Sequence, residues 1–254
     1  MFLYFIWYAG ILLNLIILCR GVATRLYLRF PIFYTYSTVV FVSSVWGLID
    51  YQLGQKPYWY AFWTWEIISI VLGYGVVLEI THLAFKDYPG AEKFARYLGF
   101  LAFALIFLGA GIAAKLDKIP EVQNHLDSFE RDLRIVQAIF LFIVAVVVLH
   151  YGIELGKNLS GLAIGFGIYI AVAIVNMALS VEFGDRYLAV YREAQSVAYL
   201  VTLGVWTVVL WSPAKVKSTP PNAQLEVDYE AMVAKTKQRL KALRSHFLPM
   251  TSLC

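Results

Sequence analysis

The sequence predicts an all-α polytopic membrane protein with seven transmembrane helices and a cytoplasmic amphipathic C-terminal helix. The chain of 254 residues is 60% hydrophobic and only 15% charged, whereas about a quarter of the residues of a soluble domain are charged. Its apolar residues fall into seven runs, each of about 20 residues, the length of a helix that crosses a hydrocarbon layer of about 30 Å. Inside that layer every backbone amide must bond within the protein, as it does in a helix. Soluble folds are therefore excluded.

The apolar runs follow one another from the first residues of the chain. The opening run lacks the basic segment and the small-residue cleavage site of a signal peptide, so we expect it to remain as the first span. Aromatic residues such as Trp7 and Trp59 cluster at the ends of the runs, where their rings favour the headgroup layer. The predicted spans are residues 2–19, 33–53, 59–83, 98–114, 136–151, 162–181 and 198–211.

The chain divides into three parts. The predicted bundle covers residues 1–212, a proline-rich linker covers residues 213–224, and a cytoplasmic helix with its tail covers residues 225–254. In the last part apolar side chains recur every three or four residues, which predicts a helix with one apolar face. That face requires a cover: anionic lipid, the bundle itself, a second copy of the chain or a protein partner bound through residues 225–247. The apolar face comprises Leu225, Tyr229, Met232, Thr236, Leu240, Leu243 and Phe247.

Basic residues predict the orientation, because cytoplasmic loops carry an excess of Lys and Arg. Placing the first loop, with Arg20 and Arg29, inside gives that side a slight excess that grows when the basic tail is included. Arg131 and Arg134 then belong to an outer connection, in which Pro120 predicts that the fifth span begins as a helix above the membrane. We therefore expect a multi-pass protein of a bacterial inner (plasma) membrane, with its N-terminus outside and its C-terminus cytoplasmic.

Polar residues inside the predicted spans are the first candidates for a ligand site. An ionisable group at the centre of a spanning helix costs about 2.5 to 3.5 kcal/mol on insertion scales and requires a partner or water. Glu66 is the strongest candidate because it lies about two turns inside the third run, and Asp50 reaches a similar depth at the end of the second. Asn14 and Asn176 lie within the first and sixth runs. For these two amides, hydrogen bonding between helices is the favoured interpretation over contact with a ligand.

A second set of candidates lies near the inner boundary. Glu79 and His82 share one face of the third run, and His150 and Glu154 share one face of the fifth. Two imidazoles could hold haem b axially, and two imidazoles with two carboxylates could hold a transition metal. The alternative is that all four are ordinary interfacial polar groups, and no HExxH, CxxC or CxxCH motif supports a metal. Our expectation is that the protein carries no cofactor, with haem or a metal as the alternative.

Glycines mark where helices are expected to touch. Gly161, Gly165 and Gly167 lie in the sixth run, at spacings that allow close approach of a neighbouring helix. The same GLAIGFG segment lacks the preceding strand that a dinucleotide-binding turn requires. These glycines therefore predict helix packing and exclude a nucleotide fingerprint.

Two resemblances follow from these features. Seven spans with opposite ends of the chain on opposite sides resemble, over the first 212 residues, the topology of microbial rhodopsins and receptor bundles. A retinal protein of that kind implies a lysine in the last span, and residues 198–211 contain none. The segments ERDLRIVQ at residues 130–137 and LGKNLSG at residues 155–161 resemble uncharacterised seven-span bacterial inner-membrane proteins. That resemblance implies a location and no activity.

Three hypotheses for function follow. The first is a sensor or receptor-like protein that relays a signal to a cytoplasmic partner without catalysis of its own, because no catalytic domain is attached to the bundle. The second is an accessory or electron-transfer subunit of a larger membrane complex, with a haem or metal at His82 and His150. The third is a transporter for a small solute, although no Pro-broken span or inverted repeat is evident. The modest net charge of +4 indicates no nucleic-acid partner.

Overall fold

The structure, a computed structural model, describes residues 2–53, 58–90, 92–93, 95–97, 99–101, 104, 122–183, 188–211 and 223–247. Within these residues the chain is all-α, as predicted. One 3-10 turn, Leu26–Leu28, connects the first two helices. The α-helices are α1 (Phe2–Thr24), α2 (Pro31–Leu53), α3 (Tyr58–Phe85), α4 (Val122–His150), α5 (Lys157–Phe183), α6 (Leu188–Val209) and α7 (Ala223–Phe247).

Five of these helices are long and apolar enough to cross a membrane by length and composition. A sixth, Glu193–Val209 within α6, is apolar but shorter. The predicted fourth span, residues 98–114, lies almost entirely outside the described residues. The structure therefore shows several apolar helices of a multi-pass membrane protein, and the count of seven spans stays a prediction. The five candidate spans are Tyr4–Thr24, Pro31–Asp50, Ile67–Phe85, Leu133–His150 and Lys157–Asn176.

Six helices form a closed ring. Helix α1 packs against α2 and α6, α2 packs against α3, α3 packs against α4 and α5, and α5 packs against both α4 and α6. The contact between α3 and α5 crosses the ring beside α4. Helices α1 to α6 therefore enclose an interior in which side chains from five different helices can meet.

The bundle has two ends, which we name after residues that lie there. At the Trp211 end, the Arg20 side chain donates a hydrogen bond to the carbonyl of Trp211, and Asn158 Nδ2 donates to the carbonyl of Val209 at 2.8 Å. These bonds join the last part of α1, the start of α5 and the end of α6. The opposite Leu53 end contains the start of α1 and the end of α2. The described chain therefore begins at one end of the bundle and leaves α6 at the other.

Helices α3 and α4 run in the same direction. Gln137 Nε2 of α4 donates to the carbonyl of Ile70 of α3 at 3.3 Å, near the middle of both helices. Toward the Trp211 end, Phe85 at the close of α3 and Val147 near the close of α4 line one shared apolar pocket. Helices α3 and α4 are thus parallel, whereas α1 and α2, α2 and α3, α4 and α5, and α5 and α6 are antiparallel pairs.

The Trp211 half of the interior is filled by aromatic side chains. The Trp206 ring lies edge-on to Phe33, with ring centroids 4.9 Å apart, and stacks on Phe166 at 5.9 Å. Gly165 permits this arrangement, because a Cβ added there would lie 2.3 Å from Trp206 Nε1. The aromatic cluster closes this half of the ring and leaves space in the other half.

Candidate functional site

A polar cavity of about 390 Å³ lies inside the ring, in the half nearer the Leu53 end. Its volume falls within the range of roughly 300 to 1,000 Å³ that small-molecule sites occupy. Five helices, α2 to α6, supply its lining, so its shape depends on how they pack. The lining residues are Tyr36, Val40, Ser43, Ser44, Ser69, Ile70, Gly73, Arg134, Gln137, Phe166, Tyr169, Gln195, Ser196 and Tyr199.

Arg134 places a positive charge in this cavity. The residue is 7% exposed, and its guanidinium carbon lies 5.4 Å from the centre of the Tyr169 ring. It belongs to the first turn of the candidate span Leu133–His150. A guanidinium does not lose its proton in proteins, so the charge is permanent. Charged groups that face a bundle interior or a water-filled cavity mark functional sites.

Hydrogen bonds orient two amide side chains of the cavity, Gln137 and Gln195. Gln137 Nε2 is anchored to the Ile70 carbonyl. Gln195 Oε1 accepts a hydrogen bond from Asn176 Nδ2 at 3.4 Å, and the same nitrogen donates to the Tyr191 carbonyl at 2.8 Å. These contacts orient two amides on opposite walls, α4 and α6. A buried polar network whose members are bonded is rigid, which suits a site that recognises one shape.

Hydroxyl groups add acceptors to the α2 wall. Ser43 Oγ and Ser44 Oγ both donate to the carbonyl of Val40, at 2.9 and 2.7 Å. Because each hydroxyl hydrogen is used within its own helix, the oxygen lone pairs remain able to accept from a ligand. The cavity thus combines a cation, two amides and hydroxyl acceptors with aromatic walls.

Asn14 connects this cavity to α1 and α2. Its Nδ2 donates to the carbonyl of Ser37 at 3.2 Å and to the Tyr199 hydroxyl at 3.5 Å. The Ser37 hydroxyl in turn donates to Asn14 Oδ1. Tyr199 lines the cavity, so a movement of its ring would disturb the hydrogen bonds that join α1 and α2. The two predicted amides, Asn14 and Asn176, both bond between helices directly behind the cavity wall.

The two predicted carboxylates have different outcomes. Asp50 is half-buried near the end of α2 and is not among the described residues that line the cavity. Glu66 lies on α3 one turn before Ser69, but its side chain lies outside the described part of the structure. A ligand role for these carboxylates stays a prediction.

Arg134 is the main residue that sequence reasoning missed. The basic-residue pattern assigned it to an outer loop, whereas α4 begins at Val122 and carries it into the bundle. The spacing of Arg134 and Gln137, three residues apart on one helix, places both on one face. This spacing is the signal that could have identified the α4 wall.

The four residues proposed for a metal or haem make other contacts. Both oxygens of the Glu79 carboxylate accept from the start of α2, from Ile32 N and Phe33 N at 2.9 Å each. His82 Nδ1 lies 3.0 Å from Glu92 Oε1, and the His150 ring lies edge-on to Tyr151. Glu154 is exposed. No group of three or more His, Cys, Asp and Glu in the described residues could hold a metal ion. Haem or metal binding stays an untested hypothesis.

The three packing glycines differ in their surroundings. A Cβ at Gly161 would lie 2.2 Å from Val209 Cγ1, and one at Gly165 would collide with Trp206. A Cβ at Gly167 would instead lie 3.7 Å from Leu141 Cδ2, an ordinary van der Waals distance. Gly161 and Gly165 therefore allow α5 to approach α6, and Gly167 faces α4 with room to spare.

Helix α7 contacts the bundle through its first turns. Leu225 is buried, and the Tyr151 hydroxyl donates to Asp228 Oδ2 at 3.0 Å. This hydrogen bond, helped by partial burial and by the charge of Asp228, raises the pKa of Tyr151. Farther along, Met232 is 59% exposed, and Lys235 is also exposed. The bundle covers the start of the predicted apolar face, and Tyr229 and Met232 line an apolar pocket with Phe85 and Val147. Most later residues of α7 are exposed.

Comparison of this chain with protein-family models, with curated proteins and with solved structures found no match. The resemblances of topology and of short segments therefore remain predictions from the sequence.

Proposed function

We propose that this chain is a seven-span, receptor-like protein of a bacterial inner membrane, which binds a small solute in the polar cavity and relays binding to a cytoplasmic partner through α7. The observation that carries the proposal is the buried Arg134 in a cavity of about 390 Å³ between helices of membrane-spanning character. A cation in an apolar bundle is costly unless it pairs or faces water, so a buried arginine in the lining of a cavity supports a functional site.

The parallel direction of α3 and α4 supports seven spans. Both helices run toward the Trp211 end, so the chain that connects them has to return to the Leu53 end before α4 begins. The apolar run at residues 98–114 is long enough to make that crossing. With it, the chain crosses the bilayer an odd number of times, and its two ends emerge on opposite sides.

Charge supports an outward-facing cavity. The Trp211 end carries Arg20, Arg25, Arg29, Lys86, Lys93, Arg96 and Lys157. An excess of Lys and Arg is typical of cytoplasmic loops, so we place the Trp211 end in the cytoplasm. The cavity then lies in the outer half of the bundle, where a solute arrives from outside, and α7 lies inside.

A receptor accounts for the interior better than a transporter does. The aromatic cluster around Trp206 fills the bundle between the cavity and the Trp211 end. This packed layer of side chains blocks the path of a solute from the cavity to that end. Phe166 belongs to both, because it lines the cavity and stacks on Trp206. A shift of Phe166 on binding would therefore move Trp206 and the end of α6. The segment that leads to α7 follows the end of α6 in the sequence.

Solute binding by purified protein tests this proposal. A panel of small organic anions, neutral isosteres and amines would be screened for a rise in the thermal midpoint, followed by the fluorescence of the tryptophans. A solute found in this way should bind Arg134→Gln at least about tenfold more weakly, because hydrogen bonds to charged groups contribute about 1.5 to 3 kcal/mol. The matched control is Arg25→Gln, which removes an exposed arginine at the Trp211 end and should leave affinity unchanged.

Relay to α7 requires a second readout. Binding of that solute should change the rate at which protease cuts the segment between α6 and α7 in the full chain. Equal binding by wild type and Arg134→Gln would contradict the cavity assignment, and an unchanged cleavage rate at saturating solute would contradict the relay.

A further inference from the structure

A second cavity lies outside the ring, between α4 and α5. It is an apolar groove of about 510 Å³. Its floor consists of residues that are buried: Ile80, Leu141, Val144, Val148 and Ile170. Its rim consists of exposed apolar residues: Phe142, Leu149 and Ile164. The groove therefore opens toward the surface that these helices turn to lipid.

Small side chains on the facing helices create this space. Helix α5 presents Ala163, Gly167 and Ala171, and α4 presents Ala138 and Ala145, all of which line the groove. Gly161 and Gly165 allow α5 to pack closely against α6. A gap therefore remains between α5 and α4.

The groove has the depth of one leaflet. Along α4 it extends from Ala138 to Leu149, about 16 Å at a rise of 1.5 Å per residue. The hydrocarbon layer is about 30 Å thick, so the groove covers roughly half of it. It begins about a third of the way along the candidate span Leu133–His150 and finishes at the Trp211 end.

Polar groups lie where a lipid headgroup would be. Ser160 lines the groove at its Trp211 end. Lys157 precedes it by three residues on the same face of α5 and is exposed. A lysine at a helix end reaches the interface and attracts phosphate.

We propose that this groove holds one acyl chain of a membrane phospholipid, whose phosphate lies level with Ser160 and Lys157. The lining of the groove is apolar except for Ser160, which suits an acyl chain, and the exposed Lys157 at its Trp211 end suits the phosphate. This lipid site lies outside the ring and is independent of the solute cavity.

Photolabelling of the full chain tests the lipid site. The protein is reconstituted in nanodiscs of phosphatidylethanolamine and phosphatidylglycerol, with a trace of phosphatidylglycerol that carries a diazirine at mid-chain. We expect labelling to concentrate on α4 and α5 peptides that line the groove, at one lipid per chain, and to decrease when unlabelled phosphatidylglycerol replaces phosphatidylethanolamine.

Variants that fill the groove provide the decisive comparison. Gly167→Leu combined with Ala145→Leu should reduce labelling of the groove roughly tenfold. The added side chains occupy the space of the acyl chain and remove its apolar contacts with the groove. Ala23→Leu adds the same side chain at an exposed position of α1 and should leave labelling unchanged. Thermal unfolding of each variant shows that it is folded. For the headgroup contact, Lys157→Gln should weaken labelling by the anionic lipid.

Two results would overturn the proposal. Labelling could be equal on the groove and on other lipid-facing surfaces, or it could persist in the filled variant. Labelling that is unchanged in Lys157→Gln would overturn the placement of the phosphate.

Discussion

The guanidinium of Arg134 faces the ring of Tyr169, with 5.4 Å between the guanidinium carbon and the ring centre. A cation over an aromatic face is attracted by the electrons of the ring, with about 0.5 to 2 kcal/mol depending on exposure to water. In the cavity this contact fixes the position of the guanidinium.

Replacing the Tyr169 ring should therefore weaken solute binding. We expect Tyr169→Leu to lower affinity about three- to tenfold, because the guanidinium loses the surface that positions it. Tyr169→Phe keeps the ring and should stay near wild type. Titration calorimetry with the solute identified in the screen measures both. Similar losses for Leu and Phe would show that the hydroxyl, and not the ring, matters.

Substitution of two glycines on α5 should separate tight from open packing. Gly165→Ala places a Cβ 2.3 Å from Trp206 Nε1, whereas Gly167→Ala places one 3.7 Å from Leu141 Cδ2. We expect the first to destabilise the bundle by about 1 to 3 kcal/mol through overpacking, and the second to be nearly neutral. Thermal unfolding in detergent, followed by tryptophan fluorescence, compares the two. Equal midpoints would argue against close packing of α5 on α6.

Glu79 should stabilise the start of α2. Its two oxygens each accept a backbone N–H, from Ile32 and Phe33, so it caps the helix from a neighbouring one. Glu79→Gln keeps one acceptor and should cost about 1 to 2 kcal/mol of unfolding free energy. Glu92→Gln, which changes a carboxylate bonded to His82, is the matched control. Hydrogen exchange of the first turn of α2 reports the cap directly, and unchanged exchange in Glu79→Gln would contradict it.

Docking of α7 should weaken at high pH. The hydrogen bond to Asp228 raises the pKa of Tyr151 above its usual value of about 10. The neutral phenol is therefore favoured in the docked state, so its stabilisation is fully present below pH 10 and is lost as the pH rises through the raised pKa.

Distance measurements between α7 and α4 test this dependence. Spin labels at Glu230→Cys and Leu149→Cys, in a chain whose native cysteines are replaced, should separate between pH 9 and pH 12. In Tyr151→Phe the phenol is absent, so the distance distribution should be broader at pH 9 and should not change further. A pH response that persists in Tyr151→Phe would assign it to another group.

The sequence predicted the elements better than the site. An apolar run of spanning length is a local feature of the sequence, so it can be recognised without knowledge of the packing. Five of the predicted runs correspond to candidate spans of the structure. Asn14 and Asn176 were identified because an amide within an apolar run stands out. Arg134 was not, because its neighbours in the sequence are charged and its burial depends on how α4 and α5 pack. Tyr199 and Gln195 were missed for the same reason: only the closed ring directs them to one point.

The apolar face of α7 shows the same limit. The helical spacing of its apolar residues is evident in the sequence from Leu225 onward. The sequence alone does not decide whether lipid, the bundle, a second copy or a partner covers that face. The structure covers the first turn with the bundle, through Leu225 and the bond from Tyr151 to Asp228. What selects this contact is the end of α4, which the period of α7 does not contain.

The most direct test of the central claim is a high-resolution cryo-electron microscopy map of the protein purified from its own membrane, with the Arg134→Gln variant purified in parallel. Our account predicts non-protein density in the cavity within hydrogen-bonding distance of Arg134, and its loss in the variant. A cavity that contains ordered water alone in the wild type, or density that is identical in both maps, would contradict it.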